Sequence, residues 1–191
     1  MPARVLAFAG SLRRGSWNKK LCRVAAGHVR AAGVEVTEIA LEDFPLPVYD
    51  QDLEDAQGLP EQARRLKELF LAHQGLLLAC PEYNSSITAA LKNAIDWVSR
   101  PAPGEGALAC FEGKTALLLA ASPGALGGLR GLVTVRSILS SIKVLVLPDQ
   151  YALSRAHEAF DEEGRLRDPK ADKIVAGLCA GLAGTLRKLH A

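Results

Sequence analysis

Five short apolar runs, interleaved with stretches whose apolar residues recur at helical spacing, constrain this chain more than any single motif in it. Residues 5–9 (V-L-A-F-A), 76–80 (L-L-L-A-C) and 115–121 (T-A-L-L-L-A-A) read as strands covered on both faces. Residues 34–40 (V-E-V-T-E-I-A) alternate apolar with polar, as a strand near a sheet edge does, and residues 144–147 make the fifth strand. Between the runs the period changes. After the first strand, from Leu21 onward, Val24, Ala25, Val29 and Ala32 share a helical face; Ala63, Leu66, Leu69, Phe70 and His73 form another, closed by Gly75. Ile87, Leu91, Ala94, Ile95 and Val98 follow the third strand, with Ser85 and Ser86 as capping candidates. Leu132, Val135, Leu139 and Ile142 lead to the fifth strand, and Ile174, Leu178, Leu182, Leu186 and Leu189 give a closing helix. Residues 43–50, broken by Pro45 and Pro47, and residues 101–113, rich in Pro and Gly, are connections. Such alternation pairs strands in parallel through right-handed crossovers, with helices on both faces. The expected fold is α/β, a doubly wound parallel sheet of five strands in the order 2-1-3-4-5, and residues 1–191 fit one domain of that kind.

In such a sheet ligands bind beyond the carboxyl ends of the strands, where the order reverses between strands one and three. The turns leaving strands one, three and four are the chain's three unusual loops. The first, Gly10-Ser11-Leu12-Arg13-Arg14-Gly15-Ser16-Trp17-Asn18, joins a buried strand to an amphipathic helix. Ser11, Ser16 and Asn18 bring hydroxyl and amide groups, Arg13 a planar cation, and the helix start its free N–H groups, a set suited to a phosphate monoester. Gly, Ser and Asn also populate ordinary strand-to-helix turns, so the loop alone leaves both readings open. It contains neither the G-x-G-x-x-G dinucleotide fingerprint nor a nucleoside-triphosphate loop, and Gly113-Lys114-Thr115 is a near miss with Leu108 where a glycine would stand.

The second loop, Pro81-Glu82-Tyr83-Asn84-Ser85, is polar and aromatic; the third, from Ser122 through Gly124 and Gly127 to Gly128, is small enough for a flat ligand to approach backbone closely. Taken singly, each reads equally well as a binding loop or as, respectively, a capped turn and a flexible helix entry. A phosphate anchor with two loops able to line a flat group points to flavin mononucleotide (FMN).

Composition narrows the alternatives. The chain is 49% hydrophobic with a formal net charge of +2, spread without a basic block, which argues against nucleic acid as a partner. The first apolar run is too short for a signal-peptide core or a membrane span, so the expected compartment is the cytoplasm. Cys22, Cys80, Cys110 and Cys179 are far apart, without a C-x-x-C pair and without an arginine six residues on, which removes zinc, thioredoxin-type and cysteine-phosphatase chemistry. His28, His73, His157 and His190 are equally dispersed, and no metal site is expected.

On these residues the chain resembles the NADPH-dependent FMN reductase family of flavodoxin-like proteins, which includes quinone and chromate reductases. Residues 10–18 match the family's G-S-x-R-x-x-S-x-N loop and residues 81–97 (P-E-Y-N-S-S-I-T-A-A-L-K-N-A-I-D-W) its most specific segment. Pro45-Leu46-Pro47, Phe111-Glu112-Gly113-Lys114 and Phe160-Asp161-Glu162-Glu163-Gly164 look like further landmarks. The resemblance implies that Ser11, Arg13, Ser16 and Asn18 hold the FMN phosphate. It implies that Pro81, Glu82, Tyr83 and Asn84 lie along the ring and ribityl chain, and that Ser122, Gly124 and Gly127 complete the ring pocket. Trp97 is expected to pack.

The implied function is an NAD(P)H oxidoreductase that passes hydride to bound FMN and on to quinone, free flavin or another small acceptor by a ping-pong mechanism, with NADPH or NADH as co-substrate. No side chain is required as a catalytic acid or base, because the flavin carries the chemistry. The resemblance also implies a homodimer or homotetramer. Arg100, Arg130 and Arg136 are candidates to read a 2′-phosphate. The alternative from another class is a flavodoxin-like electron carrier without nicotinamide turnover.

Overall fold

The computed structural model describes residues 3–190. Its elements are β1 (Arg4–Ala9), α1 (Trp17–Ala31), β2 (Glu35–Glu38), α2 (Gln51–Gln57), α3 (Glu61–Ala72), β3 (Gly75–Ala79), β4 (Glu82–Tyr83), β5 (Ser86–Ile87), α4 (Ala89–Val98), β6 (Thr115–Ala121), α5 (Leu129–Ser141), β7 (Leu145–Leu153) and α6 (Pro169–Leu189). Five strands form a parallel sheet in the order β2-β1-β3-β6-β7, which is 2-1-3-4-5 once the small β4-β5 hairpin is set aside. Fold class and strand order are those expected from the sequence, a flavodoxin-like sheet.

The alternation of side chains along β1 divides the core. Val5, Ala7 and Ala9 pack with Leu21, Ala25 and Val29 of α1 and Val175, Cys179 and Leu182 of α6. Leu6 and Phe8 face the other way, against Leu66 and Phe70 of α3, Leu91 and Ile95 of α4, and Leu132 and Val135 of α5. The central strands β3 and β6 are buried along their whole length, as continuous apolar runs require of a sheet with two covered faces. No helix among the described residues is long and apolar enough to cross a membrane.

Several boundaries differ from the sequence reading for identifiable reasons. The first helix begins at Trp17, a turn earlier than its apolar stripe, because its first turn is polar yet buried at Asn18. Ser85 and Ser86 do not cap α4. That role belongs to Thr88, whose hydroxyl accepts from Leu91 N at 3.1 Å, because residues 82–87 are spent on the hairpin. The fifth strand runs on to Leu153: it pairs with Thr115 and Ala116, slips at Pro148, and resumes with Gln150 opposite Leu118. Proline lacks the ladder N–H, so the strand is readable from sequence only up to it. The connection after β2 holds a 3-10 turn at Leu41–Asp43 and the short helix α2, capped by the Asp50 carboxylate on Asp52 N at 2.9 Å.

Candidate functional site

Strand order reverses between β1 and β3, and the loops leaving β1, β3 and β6 meet at that carboxyl edge. The first begins with Gly10, whose N–H donates to Ala79 O at 2.9 Å. A β-carbon there would lie 2.9 Å from Leu91, so glycine is what lets the loop sit against α4. Ser11 and Ser16 are buried, at 5% and 3% exposure, although both are hydroxyl residues in a loop. Ser11 Oγ accepts from Arg13 N at 3.2 Å, and Ser16 N donates to Arg13 O at 3.2 Å, which curls the chain into the helix start.

Ser16 holds the N-cap position of α1, yet its side chain makes no capping bond and the first turn carries no acidic residue. The orphan N–H groups and the positive end of the helix dipole therefore remain available to an external anion. Arg13 is held beside this opening, its guanidinium carbon 4.9 Å from the Trp17 ring centre. A phosphate fits this donor set. Asn18 is different: its Nδ2 donates to Ala121 O at 2.7 Å and its Oδ1 accepts from Ala121 N at 2.9 Å, so both ends of the amide are engaged at the close of β6.

The second loop is a two-residue hairpin, with Glu82 opposite Ile87 and Tyr83 opposite Ser86. Asn84 and Ser85 sit at its tip with φ of 51° and 63°, as a type I′ turn demands. Tyr83 is 57% exposed, whereas Pro81 is buried at the hairpin's foot. The Glu82 carboxylate is not free for a ligand. Its Oε2 accepts from Arg130 N at 3.0 Å and Gly131 N at 3.3 Å, and its Oε1 from Arg130 Nε at 2.7 Å, capping the start of α5. Burial alone would raise this carboxyl, but the bonds from Arg130 and Gly131 and the arginine charge outweigh it and hold it below the usual carboxylate range.

In the third loop Ser122 N donates to Leu153 O at 3.1 Å and Ser122 Oγ accepts from Gly124 N at 3.4 Å. Gly124 faces open space, since a β-carbon there would meet nothing nearer than Ser122 Oγ at 3.9 Å, and a flat ligand has room to approach. Gly127 is required for another reason. Its φ is 62°, and a β-carbon would fall 2.6 Å from the Ala152 carbonyl.

The remaining candidates are engaged elsewhere. Trp97 is fully buried and donates from Nε1 to Pro47 O at 2.8 Å, an acceptor shared with Asn93 Nδ2, so it packs the Pro45-Leu46-Pro47 segment onto α4. Arg100 pairs with Glu54 at 2.7 Å, Arg130 with Glu82, and Arg136 with Gln150 at 2.8 Å. Cys80, at the mouth of the second loop, is no nucleophile, because burial pushes its thiol up to about 12. The residue that sequence reasoning missed is Thr88. Besides capping α4 its hydroxyl donates to Gly10 O at 2.6 Å; the signal was a threonine directly before the helix, masked because an apolar stripe counted from Ile87 puts the threonine inside the helix and the two serines ahead of it.

Comparison with known proteins shows the family. Residues 3–158 match the family model described as NADPH-dependent FMN reductase. The chain is 37% identical over 189 residues to an NAD(P)H-dependent FMN reductase of Pseudomonas aeruginosa, covering 98% of this chain and 97% of that one. It is 34% identical over 166 residues to a quinone reductase of Pseudomonas putida, covering 86% and 84%. Among solved structures, FerB, a flavoenzyme NAD(P)H:(acceptor) oxidoreductase from Paracoccus denitrificans, superposes with a TM-score of 0.82 at 28% identity, covering 97% and 98%. With its phosphate-ready helix start, its converging loops and a match that spans most of its length, the chain belongs to the NADPH-dependent FMN reductase family, flavodoxin-like oxidoreductases that use FMN and NAD(P)H.

Proposed function

We propose that this protein takes hydride from NAD(P)H and delivers electrons to a quinone, free flavin or a similar small acceptor by a ping-pong mechanism, with FMN resident at the carboxyl edge of the sheet. The observation that carries the reading is the uncapped start of α1, flanked by Arg13 and by the buried Ser11 and Ser16 hydroxyls, facing two loops with space for a flat group. Bound FMN supplies the hydride-accepting and electron-donating chemistry. The chain's own work is to bind and orient.

Ser11, Ser16, Arg13 and the N–H groups of Trp17, Asn18 and Lys19 would hold the phosphate. Pro81, Tyr83 and Asn84, with backbone at Glu82, and Ser122, Gly124 and Gly127 would border the ring and ribityl chain. We assign no catalytic acid or base. Either nucleotide is taken as donor in this reading: Arg100, Arg130 and Arg136, the candidates to read a 2′-phosphate, are engaged by Glu54, Glu82 and Gln150. We place the reaction in the cytoplasm, where reduced nicotinamide is supplied. A homodimer or homotetramer is supported by the exposed apolar side chains Tyr83, Leu126, Leu129 and Val133 on the hairpin, the third loop and α5.

The decisive experiment is anaerobic stopped-flow mixing of the FMN-loaded protein with NADPH or NADH, then with a quinone. Rapid bleaching of the yellow flavin colour and its recovery on adding quinone are expected. A yellow protein that neither nucleotide bleaches would overturn the reductase assignment.

A further inference from the structure

Three of the hydrogen-bonding side chains at the carboxyl edge form a closed set. Asn18 joins the first loop to the third through both backbone groups of Ala121, at 2.7 Å and 2.9 Å. Thr88 joins the end of the second loop to the first through Gly10 O at 2.6 Å while capping α4. Glu82 joins the second loop to the first turn of α5, into which the third loop runs, through the N–H groups of Arg130 and Gly131 at 3.0 Å and 3.3 Å. Each loop is thereby fixed to both of the others. The bonds at Asn18 and Thr88 are buried, so water does not compete freely for them, whereas the Glu82 bonds lie nearer solvent although its side chain is only 8% exposed.

We propose that Asn18, Thr88 and Glu82 are positioning residues that lock the three loops into one preformed pocket, and that the Asn18 amide acts through Ala121 rather than as the phosphate anchor. This rests on the reading of the pocket as a flavin site. The Asn18 carboxamide spends its oxygen and one of its two Nδ2–H donors on Ala121, so its orientation is set by β6. Turning it toward a phosphate would leave the Ala121 N–H and C=O unpaired in a buried setting, which costs more than one new bond returns. Ala121 and Ser122 lead directly into the stretch where a flat ring would lie, so a slack Asn18 tie displaces the ring-side loop and leaves the phosphate donors Ser11, Ser16 and Arg13 in place.

Riboflavin, which has the ring and ribityl chain without the phosphate, separates the two roles. Wild type, Asn18→Ala, Thr88→Val, Thr88→Ser and Arg13→Ala are titrated with FMN and with riboflavin by calorimetry, and amide exchange of residues 121–128 is followed by mass spectrometry in the flavin-free protein. Asn18→Ala and Thr88→Val are expected to weaken both ligands by the same factor, about three- to tenfold. Asn18→Ala is also expected to speed exchange at Ala121 and Ser122. Thr88→Ser, which keeps the hydroxyl, restores binding. Arg13→Ala, the control, weakens FMN alone.

Loss of FMN affinity without loss of riboflavin affinity in Asn18→Ala makes that residue a phosphate ligand and overturns the proposal. Unchanged affinity for both ligands overturns it equally. Should Asn18→Ala fail to fold, the Thr88 pair decides by the same criterion. Wild-type protein that takes up neither flavin would instead sink the functional reading, and the exchange data would still report whether the Asn18 tie holds the loop.

Discussion

Gly124 and Gly127 stand three residues apart in one loop and are glycine for opposite reasons. At Gly127 the backbone lies at φ 62° and a β-carbon would strike the Ala152 carbonyl at 2.6 Å. Gly127→Ala is therefore expected to cost about 2–4 kcal/mol, strain and overpacking together, read by urea denaturation. Gly124→Ala meets only open space, so its stability is expected to stay within about 0.5 kcal/mol of wild type while FMN affinity falls. Loss of affinity without loss of stability would place the ligand against that position.

His73 gives a second residue-scale test. It is buried between α3 and β2, with Nδ1 at 2.6 Å from Leu69 O and Nε2 at 2.7 Å from Thr37 Oγ1. A carbonyl only accepts, so Nδ1 carries the proton and Nε2 accepts from the threonine hydroxyl. Burial holds its pKa below the ordinary 6.5, with the Leu69 bond opposing. The unfolded chain therefore takes up a proton first as pH falls. Stability is fully present above the ordinary value and is lost on acidification from about pH 6.5 downward, at no more than about 1.4 kcal/mol per pH unit. Denaturation midpoints of wild type and His73→Gln across that window should differ in slope, the variant being flatter.

At the scale of elements, α6 carries an avoidable weakness. Gly177 and Gly181 lie in the interior of this 21-residue helix, exposed, and a β-carbon on either meets nothing within 4 Å. Replacing each with alanine is expected to stabilise the protein by about 0.5–1 kcal/mol, seen as a higher denaturation midpoint with an unchanged m-value. What could be read of the elements beforehand depended on how local their cause is. Apolar runs such as Leu76-Leu77-Leu78 and stripes such as Leu132-Val135-Leu139 declare their period over a few residues, and they gave the five strands of the main sheet, every helix but α2, which buries no residue, and their order. The β4-β5 hairpin stayed hidden because its tip is Asn84-Ser85, without the Asn-Gly pair that usually marks positive φ. Strand β7 was shortened at Pro148 because the slip in register that accommodates a proline is a property of two strands, not one.

At the scale of the whole molecule, the loop proposed to hold phosphate was legible as a cluster of donor types, but the division of labour within it was not. Asn18 and Ala121 are 103 positions apart, and only the folded sheet shows that the asparagine belongs to β6 as much as to α1. Glu82 likewise carries a loop-binding role that its place in the P-E-Y-N segment does not disclose. A pocket already assembled by such long-range ties binds the native state and not the unfolded chain, so FMN acts on global stability. Flavin at a hundred times its dissociation constant should raise the unfolding free energy by about 2.7 kcal/mol, and inorganic phosphate by far less. Thermal denaturation at graded FMN concentrations measures this directly.

Pro148 has one more consequence. A parallel sheet ends in two strands with unpaired backbone groups, each a template for a neighbouring molecule. Here one border strand is only four residues long, at Glu35–Glu38, and the other is interrupted at Pro148, where no amide hydrogen is offered. Border-to-border pairing of copies into fibrils is thereby disfavoured, and the helices and loops are the better-suited surfaces for specific assembly.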